Sequence, residues 1–367
     1  MINGALKSLS PRVPWGRHSR SMSDLGDHGG YAGEESYVDY ELWSQRTDAE
    51  LEREDFARLN LMAAQGLRGA ERLDIDAYCL KLDEWAELVR VATAKLLPKF
   101  RARPNEYGET PGRFRMLVMM TILQRDLGVK YDLSCSTGDV DYFDARPWFI
   151  HGPIDGRGGT CVSLPMLFLA VGRSLGYPLF LCEAYQHYFL RWEGAAPNCA
   201  KERFNIECTC QGFKPCDDEH FKSYPRPIPP LRLKQGYLLR NHTPREYLAA
   251  LFLQRSQCLF DQWRFLPACE AATYAARLRS KHPGYKGTWA TMTMALGPLR
   301  GLLPQIAAGH LPTKIDIEDS PTMEPWRRHH RPFVVEDINR LLRRLRRRPE
   351  DYGFRIVPIQ SNVDPQA

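Results

Sequence analysis

An apolar stretch at residues 161–178, CVSLPMLFLAVGRSLGYP, constrains the fold more than any other part of the sequence. Its composition predicts a buried helix, and Gly176 and Pro178 mark the end of that helix. Alternating apolar residues at 179–185, 187–192 and 203–210 indicate three strands. A buried helix followed by antiparallel strands predicts the α+β class.

The rest of the chain divides by composition into further regions. Residues 1–40 combine Ser, Gly, Pro, Arg and Asp without an apolar period, which predicts a flexible leader. The other predicted regions are a helical N-terminal region at 41–105, the α+β core at 106–240, a helical hairpin region at 241–300, and a tail at 301–367 with an Arg-rich helix.

The positive charge is concentrated in the tail. Residues 323–349 hold nine arginines against three acidic residues, which accounts for the whole formal net charge of +6. The remainder is close to neutral, so nucleic acid binding by the core is not expected. The Arg-rich helix, predicted at 332–348, has two interpretations: a site for nucleic acid or an acidic membrane surface, or a solvated face packed through its leucine stripe.

The N-terminal residues lack the apolar segment of a secretory signal, and no later run has the roughly 18 apolar residues of a membrane span. We therefore expect a soluble, cytoplasmic protein without a transmembrane segment. In that setting the ten cysteines are expected to be mostly reduced thiols. Five of them have apolar neighbours and are expected to be inert: Cys79, Cys135, Cys182, Cys258 and Cys269.

One cysteine stands apart from the others. Cys161 follows the glycine-rich sequence GRGGT and precedes the apolar helix. Amides and partial positive charge at a helix N-terminus favour a thiolate and can bind an oxyanion. Cys161 is therefore the predicted nucleophile.

A thiol nucleophile needs an imidazole, and His187 opens an alternating strand that would hold the ring in a fixed direction. His151, in a His-Gly-Pro loop, is the second candidate. The segment RFNIECT places Asn205 and Glu207 on one face of the next strand, and either side chain could orient the imidazole. Glu207 is the preferred partner, with Asn205 as the alternative.

A zinc site is a further candidate, because five possible ligands are close in sequence: Cys199, Cys208, Cys210, Cys216 and His220. Their spacing lacks the paired C-x2-C units of structural zinc sites. Neither a metal nor a cofactor is predicted.

Together, GRGGTC, the apolar helix, HYFLRW and RFNIECT resemble the transglutaminase-like superfamily of bacterial proteins. The resemblance covers about residues 112–235 and implies a papain-like core with a Cys-His-acid triad. Its acid maps to Glu207, and an amide at Asn205 would match papain-like relatives. Thr160 and the cysteines at 208 and 210 depart from the family pattern. Residues 245–285 also resemble a single tetratricopeptide-type hairpin.

The resemblance implies a cysteine enzyme that forms an acyl-enzyme on a protein or peptide substrate. Transfer to water would make the protein a peptidase or amidase, and transfer to an amine would make it an amide acyltransferase. The alternative is a non-catalytic interaction scaffold, which would bind a protein partner through the core fold and the C-terminal helices.

Overall fold

A computed structural model describes residues 38–136, 140–194, 202–308, 310–320 and 322–348. They form thirteen α-helices and one four-stranded antiparallel sheet in the order β1-β2-β3-β4. The α+β class is thereby confirmed. The helices are α1 (Tyr40–Gln45), α2 (Asp48–Leu51), α3 (Phe56–Ala64), α4 (Ile75–Ala102), α5 (Pro111–Thr121), α6 (His151–Ile154), α7 (Ser163–Ser174), α8 (Asp218–Ser223), α9 (Pro230–Lys234), α10 (Pro244–Asp261), α11 (Phe265–Leu278), α12 (Pro283–Ala307) and α13 (Pro325–Arg347). The strands are β1 (Leu179–Ala184), β2 (His187–Gly194), β3 (Glu202–Ile206) and β4 (Pro215–Cys216).

The central element is α7, the apolar helix that the sequence predicted. Every residue from Ser163 to Gly172 is buried. The helix packs against β1 and β2 on one side and against α3 and α4 on another. The sheet contributes Leu190, Trp192 and Ile206 to the same hydrophobic core. The start of α7 is therefore fixed relative to the strands.

Strand register follows the predicted alternation. Arg191 of β2 lies opposite Asn205 of β3, and Leu190 lies opposite Ile206. Because side chains alternate across a strand, His187, Arg191 and Asn205 share one face of the sheet. This face carries the candidate site.

The N-terminal helices differ in detail from the prediction. Val38 and Tyr40, at the end of the predicted leader at 1–40, are buried, and residues 1–37 lie outside the described residues. In α4 the buried stripe is narrower than expected. Leu80, Leu88 and Val91 are exposed, since the helix is packed on one side.

The C-terminal region contains the predicted hairpin as α10 and α11, which pack against each other. The sequence did not predict α12, which runs across the boundary placed at residue 300. Glycines and prolines, including Pro298 and Pro304 inside the helix, obscured its pattern. Burial of residues such as Leu299 outweighs those weak local preferences.

Candidate active site

The loop before Cys161 depends on its glycines. Gly156 and Gly158 have φ of +75° and +88°, in the left-handed region that glycine adopts without strain. Gly159 pairs with the segment at Tyr131: its amide donates to the Lys130 carbonyl at 3.0 Å, and its carbonyl accepts from Asp132 at 2.8 Å. The glycine-rich loop before Cys161 is therefore fixed by hydrogen bonds to the segment at residues 130–132.

A side-chain turn then leads into α7. The Thr160 amide donates to Ser163 Oγ at 2.9 Å, and Ser163 Oγ donates to the Pro147 carbonyl at 2.6 Å. Thr160 Oγ1 accepts from the Val162 amide at 3.2 Å. Cys161 thus lies two residues before the helix, which agrees with the predicted start between residues 160 and 163. Thr160 therefore has a structural role in this turn.

The imidazole of His187 is positioned by a two-residue hairpin turn. Ala184 pairs with His187 directly across the turn, and Gln186 has a φ of +60°. Arg226 donates to Gln186 Oε1 at 3.0 Å, which holds the turn in place. The ring of Tyr224 lies 5.7 Å from the His187 ring in an edge-to-face arrangement. The histidine is only 5% exposed, so its environment is fixed by the protein.

Glu207 contacts this histidine directly. His187 Nε2 lies 2.7 Å from Glu207 Oε2, and both side chains are buried. The other carboxylate oxygen accepts from the Thr209 amide at 2.8 Å and from the Thr209 hydroxyl at 2.6 Å. Both oxygens of Glu207 are therefore held, and the carboxylate has a defined direction toward the ring.

The electrostatics of the three groups are linked. Burial acts to lower the pKa of His187, but hydrogen bonds to Cys161 and Glu207 and the charges of both groups raise it to about 9. For Glu207, burial acts to raise the pKa, and the contact with His187 and the bonds from Thr209 bring it below its ordinary value. At neutral pH the imidazole is therefore protonated between a carboxylate and the thiol. Since Nε2 faces Glu207, Nδ1 is the nitrogen left for Cys161.

The two alternatives from the sequence occupy other positions. Asn205 lies on the predicted face, but it accepts from Arg191 at 2.9 Å and donates to Asp218 at 2.8 Å. His151 is buried with Nε2 3.1 Å from the Gly69 carbonyl, and burial lowers its pKa. Neither residue joins Cys161 and His187.

The other cysteines have a different environment. Burial raises the pKa of seven of them: Cys79, Cys135, Cys182, Cys208, Cys216, Cys258 and Cys269. A thiol whose charged form is disfavoured reacts slowly. Cys161 is half-buried, and its thiol is one of the groups that raise the pKa of the His187 imidazole.

Three tyrosines near the site were not found from the sequence. Tyr131 and Tyr142 interact electrostatically with the Cys161 thiol, and Tyr224 interacts with Glu207. Burial is the main reason that the pKa of Tyr131 rises to about 12, with the thiol as the next contribution. Tyr131 directly precedes Asp132, which binds the glycine loop. The position of Tyr131 near the thiol depends on the pairing of Tyr131 with Gly159, which no local sequence pattern indicates.

A cavity of about 310 Å³ lies outside this site, between α2, α3, α7 and the start of α10. It is lined by Phe56, Arg173, His242 and Tyr247 among others. None of Cys161, His187 and Glu207 lines it. Within the described ranges, no group of three or more His, Cys, Asp or Glu side chains is placed to hold a metal ion. Cys199, one of the candidate zinc ligands, lies outside those ranges.

Comparison with known proteins gives one weak likeness. No family model matches the chain, and no solved structure gives a significant match. A stretch of 148 residues is 26% identical to F-box only protein 21 of Pongo abelii, covering 36% of this chain and 23% of that relative. The chain therefore spans about a quarter of the length of the curated relative that it matches.

Of the helices within the described ranges, none combines the length and apolar composition that crossing a bilayer requires.

Proposed function

We propose that this chain is a transglutaminase-like cysteine enzyme that forms an acyl-enzyme on Cys161. The observation that supports the proposal most is the buried contact between His187 and Glu207, together with the influence of the Cys161 thiol on the pKa of the same imidazole. A nucleophile, a base and a group that orients the base are the parts that thiol catalysis requires. The resemblance of residues 112–235 to the superfamily supplies the fold assignment within this proposal.

The reaction follows from the roles of the three groups. The Cys161 thiolate attacks the carbonyl carbon of an amide, and the protonated His187 gives its proton to the leaving nitrogen as the C–N bond breaks. Water or an amine then attacks the thioester and transfers its proton to His187, and the thiolate leaves. We assign the oxyanion to the Cys161 amide. Glu207 holds the imidazole ring in direction throughout.

The proposal also names a class of substrate and two possible acceptors. We propose a protein or peptide amide as the acyl donor, with hydrolysis or transfer to an amine as the two possible second steps. A docking role through the helical hairpin is less favoured, because thirteen residues of α10 are buried in the core. That role becomes the conclusion if the thiol proves unreactive.

The direct test is competitive labelling of the native protein with iodoacetamide near neutral pH, with each cysteine quantified by mass spectrometry. We expect Cys161 to be labelled faster than Cys210, which is exposed and serves as an internal reference. His187→Ala should slow labelling of Cys161, because the thiol loses its base. His310→Ala, at an exposed position in the tail, is the matched control and should leave the rate unchanged.

Equal labelling of Cys161 and Cys210, together with no effect of His187→Ala, would contradict the proposal. If Cys161 is reactive, trapping a thioester from a peptide amide and adding a primary amine distinguishes the second steps. Release of free acid indicates hydrolysis, and release of the amine adduct indicates acyl transfer.

A further inference from the structure

The Arg-rich helix α13 contacts the core through a buried carboxylate. Arg340 donates to Asp261 Oδ2 at 2.9 Å, and Arg344 donates to the same oxygen. The Asp261 side chain is 0% exposed, and the two arginine side chains are 16% and 12% exposed. These two arginines are therefore not part of a solvated face. The leucine stripe of the helix is buried as the sequence predicted.

Asp261 also binds the backbone of a loop that is distant from it in sequence. The Tyr142 amide donates to Asp261 Oδ2 at 3.0 Å, and Gln262 donates to the Phe143 carbonyl at 3.0 Å. Arg344 donates to the Val140 carbonyl as well. The end of α10 and the helix α13 thus bind the backbone of residues 140–143 from two sides.

Four further contacts connect this loop to Thr160, the residue before Cys161. The rings of Tyr142 and Trp148 are 4.3 Å apart, and Trp148 Nε1 donates to the Asp141 carbonyl at 2.7 Å. The neighbouring Pro147 carbonyl accepts the hydrogen bond from Ser163 Oγ at 2.6 Å. Ser163 in turn accepts from the Thr160 amide, the residue before Cys161.

We infer that Asp261 is a positioning residue for Cys161, held in place by Arg340 and Arg344 and acting through the loop at 140–148. The inference rests on the proposed function. Removing the carboxylate would take the shared acceptor away from two nearly buried guanidinium groups, and the Tyr142 amide would lose its acceptor. Arg340 would keep only its longer contact with Asp337, and Arg344 its contacts with the Val140 carbonyl and Asp141. The loop would then shift the turn that sets the direction of the thiol. A small displacement of a nucleophile is enough to slow its reaction.

The experiment uses the full chain and compares Asp261→Asn and Arg344→Met with Arg328→Met. Arg328 lies on the same helix and pairs with Asp319 at 3.1 Å on the exposed surface, so it is the matched control. Iodoacetamide labelling of Cys161 is expected to slow roughly tenfold to a hundredfold in the first two variants, and to remain unchanged in the control. Arg344→Lys should restore part of the rate.

General loss of structure is distinguished from positioning by the buried thiols. Positioning predicts that Cys161 slows while Cys182 and Cys208 stay protected, and that the pH profile of Cys161 labelling moves toward that of His187→Ala. If Asp261→Asn does not fold, Arg344→Met still tests the inference. An unchanged Cys161 rate in folded variants, or equal loss of protection at all three thiols, overturns the inference. A slow Cys161 in the unmodified protein is a different outcome, since it contradicts the proposed function itself.

Discussion

Replacing Glu207 by glutamine measures how much the buried contact with His187 stabilises the fold. The folded protein raises the pKa of His187 from 6.5 to about 9, so it binds the proton more tightly than the unfolded chain does. The resulting stabilisation is complete below about pH 6.5 and is lost as the pH rises through about 9. Glu207 acts in the opposite direction: its pKa is lowered, so its contribution is present above about 4.5 and is lost in more acidic solution.

The size of the effect follows from the shift in the His187 pKa. Integrating proton binding over pH gives about 3 kcal/mol near pH 5.5, about 2 kcal/mol near pH 7.5, and well under 1 kcal/mol near pH 9.5. Cys161 shares in this shift. Burial opposes the shift, so these values set the scale of the effect of Glu207→Gln, whose amide oxygen can still accept a neutral hydrogen bond.

The assay is urea unfolding followed by tryptophan fluorescence at these three pH values, for the variant and the unmodified protein. We expect the difference in the free energy of unfolding to shrink steadily from about pH 5.5 to about pH 9.5. Glu106→Gln removes an exposed partner of Arg103 at 3.1 Å and serves as the control. Its effect should stay within about 0.5 kcal/mol at each pH.

A constant difference across the three pH values would refute the reasoning, because a charge-linked contact must weaken when His187 loses its proton. A difference below about 0.5 kcal/mol at pH 5.5 would refute it as well, since that is no more than an exposed ion pair contributes.

Three further substitutions test separate parts of the structure. A methyl group at Gly159 would lie 2.6 Å from Ser163 Oγ, so Gly159→Ala should slow Cys161 labelling and lower the melting temperature. Gly287 lies inside α12, and a methyl group there would have no atom within 4 Å beyond its own stretch of helix. Gly287→Ala should therefore raise the free energy of unfolding in urea by up to about 1 kcal/mol. Asn205→Ala deprives the buried Arg191 of an acceptor and should cost about 1–3 kcal/mol, while the pH profile of Cys161 labelling stays unchanged.

The core of the site was predictable because local patterns determine it. An apolar helix with glycines before it places Cys161 at a helix start, and a period of two places His187 and Glu207 on the strand face. These patterns act over a few residues, so they can be recognised without knowledge of the rest of the fold. The buried residues of α7 and the leucine stripe of α13 follow for the same reason.

Other features depend on packing between distant segments. Asp261 lies 119 residues from Tyr142 in sequence, and no local pattern indicates that its carboxylate accepts the Tyr142 amide. Likewise, Leu80 in α4 resembles a core residue in sequence but is 61% exposed, because no other described element covers that side of the helix. Long-range contacts of this kind are set by the assembled fold rather than by periodicity.

The assignment of Glu207 rather than Asn205 as the partner of His187 depends partly on local pattern and partly on packing between distant segments. Both residues share one strand face, so alternation alone leaves them equivalent as partners of His187. The register separates them, because Arg191 lies directly opposite Asn205 and is itself buried. A buried guanidinium requires acceptors, and Arg191 takes Asn205 together with Asp218. Asn205 is therefore occupied by its hydrogen bond with Arg191. Glu207 is the side chain that contacts the imidazole, and its second oxygen is held by Thr209.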